Sequence, residues 1–388
     1  MNQYPNNPQQ GGTTPPQPQQ PQQPYVQQPV YYVQPQPVYY QPQLMYVQQP
    51  AYYQPQPVNN AEWQKTLYYK NLRKKERNEI IGKGFALGGA IIVMLIIETI
   101  IVLALDAAGK SYLMDTDATF ANFFNIFAAH ICGMTIPFTL MWLIMKNKST
   151  KPLVPTKKLG FKKAALWVGV GMLGCMVANY ITEFVIWIYD LFGYELSQPE
   201  MPKADSLIAC VAVFFSTSIA PGLFEEFAFR CCSLSLLRKH GKVFSVVAVS
   251  VVFGLIHGNM IQFVFAFLVG LILGYITLKT DSVLPAMAIH ACNNGISVIQ
   301  EIVGYAASEE VADYAGYGII IFWGVAGIAA LVYMLLKHKE ELLPTKEPKK
   351  EKVPYALNTA EKLLCMLPGL VIPFIILIWE TSQYITKV

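Results

Sequence analysis

Three stretches of this chain put reactive side chains at four-residue spacing inside apolar sequence. They are Glu225-Glu226-Phe227-Ala228-Phe229-Arg230, Phe253-Gly254-Leu255-Ile256-His257 and His290-Ala291-Cys292-Asn293-Asn294. Carboxylates, imidazoles and amides are costly inside apolar helices, and where they occur they face a protein interior or a water-filled cavity. A carboxylate can take a proton from water, and paired imidazole and amide donors can hold a developing oxyanion. Together these groups point to hydrolysis inside a membrane.

Helical spacing divides the labour. Neighbours on an α-helix point about 100° apart, so Glu225 and Glu226 face different ways. Glu226 and Arg230 stand i,i+4 and can pair along one face, which makes them a structural brace. Glu225 is then free to act on water. Phe253 and His257 share a face. So do His290 and Asn294, which suits two donors aimed at one oxygen.

Helices crossing a bilayer must carry these groups. The 388 residues are 53% hydrophobic and 14% charged, against about 25% charged in soluble domains. From about Gly84 onward, apolar runs of roughly bilayer length follow one another. The expected fold is all-α: a polytopic transmembrane helix bundle of eight to nine spans, near 84–105, 121–145, 164–188, 206–236, 243–258, 260–279, 283–303, 316–336 and 363–384. Residues 1–60 form a tail of Pro, Gln, Tyr, Asn and Val that lacks the means to bury a core and is expected to be disordered. A basic juxtamembrane segment follows at 61–83. Transmembrane helices at 84–200, a catalytic core at 201–303, and helices with a basic loop at 304–388 complete the organisation. The tail is either a tether or a docking segment for a cytoplasmic partner.

Loop charges alternate. Lys65 to Lys83, Lys146 to Lys163, Arg238 to Lys242, and Lys337 to Lys352 make one side basic. Asp106, Asp115 and Asp117, then Asp190, Glu195 and Glu200, then Glu309, Glu310 and Asp313 make the other acidic. The positive-inside rule puts the basic side, and with it the tail, in the cytoplasm. The last helix then ends on the opposite side unless it lies in the interface. Lipid and a membrane protein or peptide are the expected partners, and nucleic acid is not.

The fourth span is too long. Ser206 to Leu236 would run about 45 Å against a hydrocarbon core of about 30 Å. Ala220-Pro221-Gly222 in its middle predicts a break, with Glu225 and Glu226 in the first turn of a new half-helix. Depth supports a common site. At about 1.5 Å per residue, Glu225 lies about 18 Å from Leu237, His257 about 21 Å from Val243, and His290 and Asn294 about 12 and 18 Å from Ser282. Other polar residues have plainer readings. His130, Glu98, Asn179 and Glu183 are taken as interhelical hydrogen-bonding groups, although Glu183 is also placed to line an access path. His240 and His338 are taken as solvated loop residues. Gly270 and Gly274 are read as a close helix contact, and the seven cysteines as small buried side chains.

The three motifs, in order on consecutive membrane segments, resemble the EExxxR, FxxxH and HxxxN signatures of the CPBP (Abi) intramembrane proteases. That family includes the type II CAAX prenyl endopeptidases and the bacterial lysostaphin-resistance-like proteins. Ala220-Pro221, Phe229 and Pro285-Ala286-Met287-Ala288-Ile289-His290 match its context, and the likeness spans about Ser206 to Val298. The resemblance implies that Glu225 and His257 hold and activate water and that His290 and Asn294 stabilise the oxyanion. Glu226, Arg230 and Phe253 would support the site. It implies a metalloendopeptidase-like or metal-free reaction. Glu225, His257 and His290 can supply three ligands to Zn²⁺ or another divalent ion, with water as the fourth. A glutamate acting directly needs no ion. The resemblance also implies a prokaryotic cytoplasmic membrane, and a lipidated CAAX protein or another membrane-associated peptide as substrate.

Two other classes use similar features. A non-catalytic scaffold or regulator, for immunity or envelope function, could keep the fold and act through its tail. A transporter could use buried Glu and His as a proton relay, but no inverted repeat relates the halves of this chain.

Overall fold

The computed structural model describes residues 60–146, 159–199, 204–343 and 355–388. The tail at 1–59, much of the basic loop from Lys148 to Lys158, Glu200, and the basic run at 344–354 lie outside the described residues. Among the described residues, nine long helices fall where the apolar segments predict them: α1 Asn60–Ala107, α2 Ala118–Met145, α3 Phe161–Leu191, α4 Leu207–His240, α5 Lys242–Leu255, α6 Met260–Thr280, α7 Leu284–Ala306, α8 Glu309–Lys337 and α9 Thr359–Ser382. The fold is a polytopic helical membrane bundle.

Seven of the nine are long and apolar enough to cross a membrane by themselves, fewer than the eight to nine spans expected. The two that fall short are α5 and α7, and both bear motif residues. With 14 residues, α5 covers about 21 Å. In α7, His290, Asn293, Asn294, Gln300 and Glu301 dilute the apolar residues. Chemistry has displaced hydrophobicity in α7, and packing within the bundle compensates. The basic segment at 61–83 is the opening of α1, whose 48 residues run unbroken for about 72 Å.

Local sequence sets the helix starts. Ser206, Asn259 and Ser308 each accept a backbone N–H in the first turn of α4, α6 and α8. Asn358 and Glu361 form a reciprocal capping box at the start of α9. Two clusters make the core. Phe138, Phe229, Phe244, Phe253 and Met366 join α2, α4, α5 and α9, with Ile80 and Ile91 from α1. Trp167, Met172, Leu273, Ile289 and Met334 join α3, α6, α7 and α8. Gly270 and Gly274 bring α6 against Ser250 and Val246 of α5, as their spacing implies. All seven cysteines are free, and Cys175, Cys210, Cys231 and Cys232 are buried.

Contacts between helix ends reproduce the alternating sidedness. Lys163 pairs with Glu341 at 2.5 Å, Lys239 with Glu79 at 2.6 Å, Arg238 with Asp281 at 3.2 Å and Lys362 with Glu76 at 3.0 Å, all at ends assigned to the basic side. Among the described residues one two-stranded ribbon departs from all-α. In it β1 Tyr194–Leu196, just after α3, pairs antiparallel with β2 Ile385–Lys387, just after α9. The chain end thus lies beside the acidic α3–α4 connection, on the side opposite the basic ends. His240 is not the solvated loop residue expected. It is buried at the end of α4, where it accepts from Lys83 Nζ at 3.1 Å and its ring lies 3.7 Å from Glu76.

Candidate active site

The expected break in α4 does not occur. The helix runs from Leu207 to His240 but is π-wound over Phe214–Ile219, Pro221–Glu225 and Phe227–Leu234. A wider i→i+5 turn absorbs the proline, whose missing N–H and ring would disrupt an α-helix. Gly222 serves close packing instead of a break. A Cβ there would lie 3.0 Å from both the Met287 carbonyl oxygen and Ala291 Cβ of α7. Polar bonds fasten the same stretch: Ser218 Oγ donates to the Ala291 carbonyl at 2.8 Å, and Asn294 Nδ2 to the Thr217 carbonyl at 3.1 Å. Glu225 and Glu226 therefore sit mid-helix, not at a helix start.

The floor of the site is dry. Glu226, Arg230 and Phe253 are at most 1% exposed. Arg230 Nη1 pairs with Glu226 Oε1 at 3.0 Å, which is the expected brace, and the guanidinium lies 4.5 Å from the centre of the Phe253 ring. That ring also meets His257 and His290 edge-on, with centroids 5.2 and 5.9 Å away. Phe253 is thus the apolar hub that spaces the cation and the two imidazoles.

Above that floor stand the half-buried Glu225 and His257 and the buried His290. His257 lies just past the end of α5, where Nδ1 donates to the Phe253 carbonyl at 2.8 Å. The other nitrogen, Nε2, is left as the working atom. Gly258 turns the chain at φ 67°, and Asn259 then caps α6 while donating to the His257 carbonyl at 3.0 Å. His257 lies within electrostatic reach of Glu225. His290 donates through Nδ1 to Glu226 Oε1 at 2.9 Å, and its Nε2 faces Glu225 Oε2 at 3.9 Å. A group beyond 3.5 Å is often bridged by water.

The expected pairing of His290 and Asn294 on one open oxygen is modified. Each already holds a protein acceptor, so a free oxygen would meet His290 Nε2 and the second N–H of Asn294. Asn293 donates to Asn294 Oδ1 at 3.3 Å.

One neighbour, read from the sequence only as an interhelical hydrogen-bonding group, lies against the site. His130, on the π-wound part of α2, is 6% exposed and places Nε2 3.7 Å from Glu225 Oε1. The depth count could have found it, since Met145 to His130 is about 22 Å, level with Glu225 and His257. Asn179 and Glu183 are exposed on α3. Glu98 lies against Gly133, one turn beyond His130.

Among the described residues, no group of three or more His, Cys, Asp or Glu is drawn together closely enough to hold a metal ion. Glu225, His257 and His290 are neighbours but do not form a ready three-ligand set. No step below is routed through a metal.

Residues 207–296 match the family model described as type II CAAX prenyl endopeptidase Rce1-like. That segment of the membrane core is similar to the type II CAAX prenyl endopeptidases of the Rce1-like family. The family is one of CAAX-type intramembrane endopeptidases, and the matched segment contains every motif residue of the site. No curated protein and no solved structure matches the chain. The matched segment begins with α4 and ends within α7, so α2 with its His130 stands outside it.

Proposed function

We propose that this protein is an intramembrane endopeptidase that hydrolyses a peptide bond in a membrane-associated or lipidated protein. The observation that carries this reading is Glu225 itself. Its Oε2 is shielded from solvent and without a protein hydrogen bond, yet it faces His290 Nε2 and lies within reach of His257.

In this reading a water is held by Glu225 and the free Nε2 of His257. Glu225 takes one proton as the water oxygen attacks the peptide carbonyl carbon. The carbonyl oxygen becomes an oxyanion that His290 Nε2–H and the free N–H of Asn294 stabilise. For His290 to donate there it must be imidazolium, because its Nδ1 proton is already given to Glu226. Glu225 then passes its proton to the leaving nitrogen as the C–N bond breaks.

Lipid and a membrane-borne substrate are the partners this requires. The alternating loop charges support a cytoplasmic tail, and the resemblance to lysostaphin-resistance-like proteins supports a prokaryotic membrane. Zn²⁺ or another divalent ion is not needed by the steps above. A rate that survives exhaustive chelation supports the metal-free reading. A rate lost on chelation and restored by zinc would replace it.

The deciding comparison is of membrane peptides from cells carrying the wild type or Glu225→Gln. Fragments that vanish in Glu225→Gln identify both the activity and its substrate. Identical peptide sets would sink the proposal.

A further inference from the structure

We propose that His130 is a positioning residue for Glu225, forming a third wall of the site from α2. The inference rests on the hydrolytic reading above. Glu225 is bracketed: Oε1 faces His130 Nε2 at 3.7 Å, and Oε2 faces His290 Nε2 at 3.9 Å. Neither contact is a hydrogen bond, but an imidazole facing each oxygen restricts rotation of the carboxylate and biases the edge offered to water.

The surroundings of His130 are built for this. Its Nδ1 lies 3.5 Å from the Asn125 carbonyl, which turns Nε2 toward Glu225. Thr135 Oγ1 donates to the His130 carbonyl at 2.7 Å within the same π-wound stretch. The Phe224 ring stands 6.2 Å from the imidazole on its α4 side. Behind it, Gly133 makes room for Glu98 of α1. A Cβ on Gly133 would stand 2.5 Å from Glu98 Oε1 and 2.8 Å from its Cγ. The charged groups facing His130 are thus Glu225 from α4 and Glu98 from α1, which itself lies within electrostatic reach of Glu380 from α9. A histidine that merely joined helices would need one acceptor. This one has the proposed base 3.7 Å from its Nε2, with a second carboxylate, Glu98, packed against Gly133 of the same helix.

The test uses the full-length protein in proteoliposomes and a quenched fluorogenic peptide ending in a farnesylated CAAX sequence, with the unprenylated peptide alongside. His130→Ala should lower kcat about 100-fold, the scale of a misplaced reacting group, with KM unchanged. His130→Gln should recover part of that loss, because an amide can still reach the carboxylate. The double variant His130→Ala with Glu225→Gln should be no slower than Glu225→Gln alone, because His130 acts through Glu225. A wild-type kcat in His130→Ala, or losses that multiply in the double variant, would overturn the proposal. Should His130→Ala fail to fold, His130→Leu, which keeps bulk but has no polar atom to offer Glu225, decides in its place: kcat lowered at constant KM supports the role, and an unchanged kcat ends it. If wild type and Glu225→Gln cleave equally, the hydrolytic reading itself fails. If Glu225→Gln is dead while His130→Ala is fully active, only the role of His130 fails.

Discussion

His290 Nδ1 and Arg230 Nη1 meet the same oxygen, Glu226 Oε1, at 2.9 and 3.0 Å. The buried ion pair and a reactive histidine are therefore one unit. Glu226 both neutralises Arg230 and fixes the direction in which His290 presents Nε2. A carboxylate–histidine pair of this kind sets the tautomer and orientation of a working imidazole.

This shared oxygen separates stability from activity. Arg230→Met alone leaves Glu226 without its ion partner in a dry site and should cost about 3–5 kcal/mol. Glu226→Leu combined with Arg230→Met removes both charges and should restore most of the thermal stability. It should remain inactive, because His290 has lost its acceptor. Melting in detergent and peptide turnover together check this. A stable double variant with wild-type turnover would break the link between Glu226 and His290.

His257 hydrogen-bonds through Nδ1, and His257→Asn can keep that bond to the Phe253 carbonyl while deleting Nε2. The variant should fold normally and lose about 10²–10⁴-fold in kcat, the range of a positioned acid–base group. Unimpaired turnover would show that Nε2 does not touch the reacting water.

Asn294 has two duties in this structure, a strut to Thr217 and a donor toward the site. Asn294→Ala should therefore lower both the melting temperature and kcat, the first through the donor lost to the half-buried Thr217 carbonyl, at about 0.5–1.5 kcal/mol. Asn294→Asp removes the donor and sets a carboxylate against that carbonyl, and it should be worse on both counts. A variant that loses kcat with an unchanged melting temperature would remove the strut from the account.

α1 and α9 touch backbone to backbone. A Cβ on Gly84 would lie 2.6 Å from the Met366 carbonyl oxygen, and one on Gly369 would strike the backbone of Phe85. Gly369→Ala should destabilise the bundle by about 1–3 kcal/mol or more, because neither helix backbone can yield. Gly89→Ala, one residue from Gly88 but facing open space, should change stability by no more than about 0.5 kcal/mol. Equal melting temperatures for the two variants would rule out this contact as a determinant of docking.

Much of this was legible residue by residue. The Glu226–Arg230 brace follows from i,i+4 spacing, and burial of a guanidinium demands such a partner. The GxxxG of Gly270 and Gly274 named a helix contact without naming its partner, because spacing describes one helix at a time. Pro221 was read as a break because α-geometry offers it no alternative. The π-wound turn that accommodates it becomes visible only with α7 packed on Gly222. His240 looked solvated from its basic neighbours, and only the folded ends of α1 and α9 show that it is enclosed.

The sequence by itself determined a membrane bundle, its alternating sidedness and the three motifs. Hydropathy, loop charge and helical spacing are local properties of a chain. Tertiary structure decided which nitrogen of each histidine is spoken for, since that depends on acceptors such as Glu226 and the Phe253 carbonyl. It also decided that His130 reaches Glu225. That meeting joins residues 95 positions apart through two facing π-wound stretches, and no spacing rule along one helix encodes it.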